Sequence, residues 1–152
     1  MPELPSVARG LRSVRISQMV TRILFACVGN SCRSQMAEGF CRMLGEDVDC
    51  ASAGSRPEAR VDPNAVEAMK EVGIDISQAH PKGFDGLPGL RFDYLVTMGC
   101  EVECPFLSGA RVINWQIPDP KGKGIEEYRR VRESIRSEVK RLLTDLGRLR
   151  PE

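Results

Sequence analysis

The apolar residues of this chain keep two rhythms. Ile23-Leu24-Phe25-Ala26-Cys27-Val28 is an unbroken apolar run that stops at Gly29-Asn30, the pattern of a strand buried on both faces of a parallel sheet. After Ser34 the spacing changes: Met36, Ala37, Phe40, Cys41 and Leu44 recur at helical intervals and Gly45 follows, which predicts a helix with a glycine stop. The alternation then repeats. Val48 to Ala53 predicts a second strand, and Asp62-Pro63 supplies the cap and first turn of a helix carrying Val66, Met69 and Val72, closed by Gly73. Phe92 to Met98 and Arg111 to Trp115 predict strands three and four. From Ile125 to Leu146 the residues Tyr128, Val131, Ile135, Val139, Leu142 and Leu146 share one face, with Gly147 at the end, so a long amphipathic helix is expected to pack on the sheet. Strands alternating with helices predict an α/β fold, a single domain with a four-stranded, mostly parallel sheet and helices on both faces. Residues 1–20 mix Pro, Arg and Ser without a period and read as a poorly ordered N-terminal extension, with Met19 as an alternative start. That leaves residues 21–150 as the folded domain.

Composition narrows the function. A chain of 152 residues holds one domain, and a formal net charge of +1 argues against a basic nucleic-acid footprint. The run from Ile23 to Val28 is far shorter than the ~20 residues of a membrane span, and the first 20 residues lack a signal peptide's apolar stretch. The expectation is a cytoplasmic protein that binds neither membrane nor nucleic acid, and a monomer. A reducing compartment makes structural disulfides improbable, so the six cysteines suggest chemistry or metal. Cys27 and Cys32 form one close pair, and Cys100 and Cys104 another. Cys41 and Cys50, among apolar neighbours, read as small buried hydrophobes. His80, the only histidine, stands before Pro81 and is expected to have a surface or capping role, and Trp115 to pack.

The first strand ends at Cys27, and ligands of open α/β sheets bind at the carboxyl ends of strands. Cys27-Val28-Gly29-Asn30-Ser31-Cys32-Arg33-Ser34 is a cysteine, five residues, an arginine and a serine. A short loop entering a helix N-terminus aims successive backbone N–H groups at one point, which suits a tetrahedral oxyanion. Gly29 permits the turn, and Arg33 offers a planar fork for two anion oxygens. The same positive potential favours the thiolate of Cys27, making it a nucleophile that Ser34 can hydrogen-bond and later help to leave.

With these residues in place, the sequence resembles the low-molecular-weight protein tyrosine phosphatase family, and within it the arsenate reductases that regenerate through thioredoxin. The resemblance runs from Ile23 to Leu146 and rests on ILFACVGNSCRSQMAEGF, the SAG at Ser52 to Gly54, DPNAVEAMKEVGIDIS and YLVTMGC. It implies arsenate as substrate, bound by Val28, Gly29, Asn30, Ser31, Cys32 and Arg33, and assigns Asp119, before Pro120, as the acid that protonates the leaving oxygen. Where tyrosine phosphatases carry aromatic residues after this aspartate, the chain has Lys121-Gly122-Lys123-Gly124.

In the reductase reading, Cys27 attacks arsenate and Cys100 then attacks the Cys27 sulfur. Cys104 attacks Cys100 in turn, leaving a Cys100–Cys104 disulfide for thioredoxin to reduce. The two relay cysteines are closer together than is common in the family, so a small thiol stays open as the reductant. Four residues is one helical turn, which brings two alpha carbons to roughly 6 Å, inside disulfide range. No bound cofactor or metal is expected; the need is for an external thiol reductant. Two alternatives stand beside this reading, a tyrosine phosphatase and a four-cysteine zinc module built from Cys27, Cys32, Cys100 and Cys104. The latter would leave Arg33 beside the metal. The resemblance also implies a cation-like site of Asn30, Glu38 and Ser52, with Lys82 where a relative's aspartate would stand; the expectation is that its ammonium pairs with Glu38 in place of a potassium ion.

Overall fold

The structure, a computed structural model, describes residues 20–87, 89, 91–99, 107 and 109–151. The expected extension, apart from Val20, and both relay cysteines lie outside the described residues. The apolar run becomes strand β1, Thr21–Cys27, in which Ile23, Leu24, Phe25 and Ala26 are fully buried. Helix α1 follows at Arg33–Leu44, then β2 at Val48–Gly54, α2 at Pro63–Lys70, a 3₁₀ turn at Phe84–Gly86, β3 at Tyr94–Met98, β4 at Arg111–Trp115 and α3 at Ile125–Asp145. The four strands form one parallel sheet in the order β2-β1-β3-β4. The α/β expectation holds, and element bounds move by two or three residues at most, except that α2 ends at Lys70, before Gly73.

Alternation along β1 divides the core in two. Ile23 and Phe25 join Met36 and Phe40 of α1, Ala65 and Met69 of α2, and Tyr128, Val131, Ile135 and Val139 of α3. Leu24 and Ala26 point to the opposite face, where Ala53, Leu95, Phe92 and Leu107 meet them and Phe84 and Leu87 of the 3₁₀ turn close over. All three described α-helices thus lie on one face, where the sequence predicts helices on both; among the described residues the opposite face is covered by loop and 3₁₀ turn instead. Strand β4 is an edge: Val112 is 60% exposed, and only Trp115, tilted against Phe25 at 5.9 Å, is buried.

The register fixes the site. Cys27 lies beside Gly54, Ala26 beside Ala53 and Thr97, and Met98 beside Trp115, so the carboxyl ends of all four strands open on one edge. From β1 the chain turns to β2 on one side and later returns to β3 on the other. That reversal of strand order opens a crevice at the end of β1, where Cys27 stands.

Candidate functional site

The turn from β1 into α1 is built around a buried asparagine. Asn30 adopts φ +50°, a left-handed conformation that asparagine accepts more readily than most residues, and is fully buried. Its amide nitrogen donates to Ser34 Oγ at 2.8 Å, while its amide oxygen accepts from Gln35 Nε2 at 3.1 Å and from the Lys82 backbone N–H at 2.9 Å. Gln35 Nε2 also reaches the Asn30 carbonyl at 3.1 Å. Ser34 Oγ lies 2.9 Å from Cys27 Sγ. Because that oxygen already accepts from Asn30, its own proton is free to point at the sulfur.

The opposite edge of the turn is held by backbone. The carbonyls of Val28, Gly29 and Ser31 accept N–H groups from Arg56, Glu58 and Asp62 at 2.8–2.9 Å. In a planar trans peptide the N–H points opposite to its carbonyl, so carbonyls held on this outer segment leave the following N–H groups directed the other way. Residues at the start of α1 add free N–H groups and the positive end of a helix. Gly54 lets β2 approach the turn: a Cβ there would lie 2.5 Å from the Val28 carbonyl oxygen and 2.8 Å from the Asn30 nitrogen.

Arg33 is buried, donates to the Ile117 carbonyl at 3.0 Å and lies 3.9 Å from a carboxylate oxygen of Asp119. Asp119 is half-exposed and accepts the Lys121 N–H at 3.1 Å. Cys27, Arg33, Arg56, Glu58, Asp119 and Lys121 are among the residues lining a cavity of about 220 Å³, and among the described residues no aromatic side chain joins them. Cys32 lines it too. Burial, followed by the nearby charges of Asp62, Cys27 and Asp119, pushes its thiol far up, against the opposing pull of Arg33. Cys32 therefore stays protonated. Asp62 caps α2 by accepting the Asn64 N–H at 2.9 Å and also accepts the Tyr128 hydroxyl at 2.5 Å, which ties α3 to the site.

The structure brings Cys27, Asn30, Arg33, Ser34 and Asp119 together, as the sequence suggests. It corrects the expected Lys82–Glu38 pair. Glu38 is held instead by Arg42, one helical turn on at 2.6 Å, and by the Ser52 hydroxyl at 2.6 Å; Lys82 meets the turn through its backbone N–H and its carbonyl, which accepts the Gly54 N–H. The (i, i+4) spacing gives Arg42 the shorter reach. A second correction concerns Cys41 and Cys50, which are not free hydrophobes but a disulfide, their alpha carbons 6.3 Å apart. The physical reason is that Cys41 on the buried face of α1 and Cys50 on the adjoining strand are carried together by the turn at Gly45–Asp47. Cys50 pairs with Ile23, four residues before Gly54, so the disulfide sits roughly 13 Å along the strand from the Cys27 end and outside any relay through that sulfur. His80 lends only its carbonyl, which accepts Gln35 Nε2 at 3.3 Å. Gly99, at φ +114°, follows β3 at the same sheet edge as Cys27; Cys100 and Cys104 come next in the chain and lie outside the described residues. Sequence reasoning missed Gln35, Glu58 and Asp62 as parts of the site, although the capping signature of Asp62 placed it beside a helix start.

The family model for low molecular weight phosphotyrosine protein phosphatase matches residues 22–151. An arsenate reductase of Staphylococcus xylosus is 44% identical over 118 residues, covering 75% of this chain and 89% of that protein. A glutaredoxin arsenate reductase of Synechocystis is 34% identical over 129 residues, covering 83% and 98%. The solved structure of a Corynebacterium glutamicum thioredoxin-dependent arsenate reductase superposes with a TM-score of 0.67 at 28% identity, covering 90% of this chain and 69% of that one. On the family match over nearly the whole chain and these relatives, the chain belongs to the low molecular weight phosphotyrosine protein phosphatase family.

Proposed function

We propose that this protein is an arsenate reductase in which Cys27 is the nucleophile, Arg33 and the backbone of residues 28–33 hold the oxyanion, and Asp119 is the acid. The observation that carries the reading is the cavity over Cys27: about 220 Å³, rimmed by Arg56, Glu58, Asp119 and Lys121 and, among the described residues, without an aromatic wall. It suits a small tetrahedral anion and offers a phenyl ring nothing to stack on. The arsenate reductases of Staphylococcus and Synechocystis support the same substrate.

The Cys27 thiolate displaces a hydroxyl of the bound arsenate, which takes the proton of Asp119 and leaves as water, and a sulfur–arsenic bond forms. Cys100 then attacks the Cys27 sulfur. The S–As bond breaks with its electron pair passing to arsenic, arsenite departs, and a Cys27–Cys100 disulfide remains. Attack of Cys104 on Cys100 frees Cys27 and leaves a Cys100–Cys104 disulfide, which an external dithiol reduces by exchange. We assign that role to thioredoxin, in line with the Corynebacterium neighbour. We assign the protein to the cytoplasm, whose reducing thiols the reaction consumes at each turn.

The test is arsenite release with thioredoxin and its reductase, compared with glutathione and glutaredoxin. Multiple turnover with thioredoxin and at least about tenfold less with the glutathione couple is the expected result. Faster turnover with glutathione and glutaredoxin would reassign the reductant. Hydrolysis of an aryl phosphate well ahead of arsenate reduction would make the protein a phosphatase.

A further inference from the structure

Segment 55–62 crosses the mouth of the anion turn, and Glu58 is attached to both sides of it. Its backbone N–H donates to the Gly29 carbonyl at 2.9 Å. Its side chain lies over Gly29 closely enough that a Cβ there would come within 3.0 Å of Glu58 Cγ and of a carboxylate oxygen. One carboxylate oxygen accepts the Ser31 hydroxyl and the other pairs with the Lys121 ammonium. Lys121 in turn donates its backbone N–H to Asp119, whose other oxygen faces Arg33 at 3.9 Å. The contacts form a ring around the mouth: turn, Glu58, Lys121, Asp119, Arg33 and back to the turn.

We propose that Glu58 is a positioning residue for the acid: through Lys121 it latches the loop carrying Asp119 onto the anion turn. The inference rests on the reading of Cys27 as nucleophile and Asp119 as acid. Asp119 is half-exposed and sits in a loop, residues 116–124, without helix or strand to fix it. Proton delivery depends on placement to within about an ångström, and a misplacement of that size can cost about a hundredfold in rate. The ion pair supplies a fixed point two residues from the carboxyl group. Glu58 does not act as a negative screen against the substrate, because both its oxygens are engaged and its charge is matched by Lys121.

The experiment follows a single turnover of the reduced full-length protein with arsenate and no regenerating thiol, reading arsenite released at a series of arsenate concentrations. For Glu58→Gln the saturated rate falls about tenfold while the half-saturating concentration changes less than about twofold. Glu58→Lys slows the step similarly, and the exchanged pair Glu58→Lys with Lys121→Glu recovers to within about threefold of the unmodified protein, which a merely structural role for Glu58 would not produce. Thermal melts confirm that each variant folds. The same variants are assayed on phenyl phosphate, whose leaving phenolate also needs a proton, so the latch is tested even where arsenate chemistry fails. Asp119→Asn separates the two ideas: a slowed first step for Asp119→Asn with no effect of Glu58→Gln on either substrate overturns the latch and leaves the acid assignment standing. A change confined to half-saturation, or an exchanged pair no faster than its single variants, also overturns the latch.

Discussion

The two walls of the anion turn are built from opposite materials. The inner wall, Asn30, Ser34 and Gln35, is buried and uncharged, and its side chains are joined by hydrogen bonds. The outer rim, Arg56, Glu58, Asp119 and Lys121, is charged and open to solvent. A buried polar network leaves unpaired groups behind when one member is removed, at about 1–3 kcal/mol for each orphaned group, whereas an exposed ion pair typically contributes about 0–1 kcal/mol. The inner wall therefore sets whether the turn exists, and the rim sets how well it works.

Substitutions can sharpen or break this contrast. The largest effect is expected at the point where both walls converge: Cys27→Ser should abolish arsenite release, because a serine hydroxyl without a base is a poor nucleophile, with little change in melting temperature. Asn30→Ala comes next. It orphans the Lys82 N–H, removes a donor to Ser34 and puts alanine at a left-handed φ, so urea unfolding should show a loss of about 2–4 kcal/mol and arsenite release should fall with it. A loss under about 1 kcal/mol would place the inner wall on the same footing as the rim.

Cys41→Ala combined with Cys50→Val tests the staple behind the inner wall. A loop of this size is worth about 2.5–3 kcal/mol in the chain-entropy model, so non-reducing urea unfolding should move by that amount while single-turnover arsenite release stays within about twofold. The smallest effect belongs to a charged cluster away from the site. Glu71 is held down to about 2, chiefly by hydrogen bonds from Arg129 and then Arg132. Its carboxylate is more acidic folded than unfolded, so its contribution is present above the unfolded value near 4.5 and is lost as pH falls toward 2. The difference in melting temperature between the unmodified protein and Glu71→Gln should be small and level above about pH 5, then shrink toward pH 2.

The same contrast explains what could be read from the sequence. Strand β1, the turn and α1 were legible because burial imposes periodicity and the turn carries a cysteine, a glycine and an arginine at chemically meaningful spacing. Glu58 was not, because segment 55–62 has no period and its partner Lys121 is 63 residues away. The Cys41–Cys50 bond falls between these cases. Cys41 shares the apolar helix face with Ala37 and Phe40, and Cys50 alternates inward with Ser52. Their meeting was implicit in the pattern, but the argument from reducing compartments discouraged it. Glu38 pairs with Arg42 rather than Lys82 because Arg42 stands one turn along the same helix, a neighbour that helix geometry supplies.

Gly54 carries a lesson for redesign. Its missing side chain is what lets the end of β2 press against the turn, where an added methyl would collide with the Val28 carbonyl and the Asn30 nitrogen. A mutant library aimed at larger anions can vary position 56, whose side chain is exposed, but must change 58 and 121 only as a pair, because together they latch the loop of Asp119. Position 54 belongs in no such library: even alanine there would lift the turn off its floor and blunt the nucleophile before any new substrate was met.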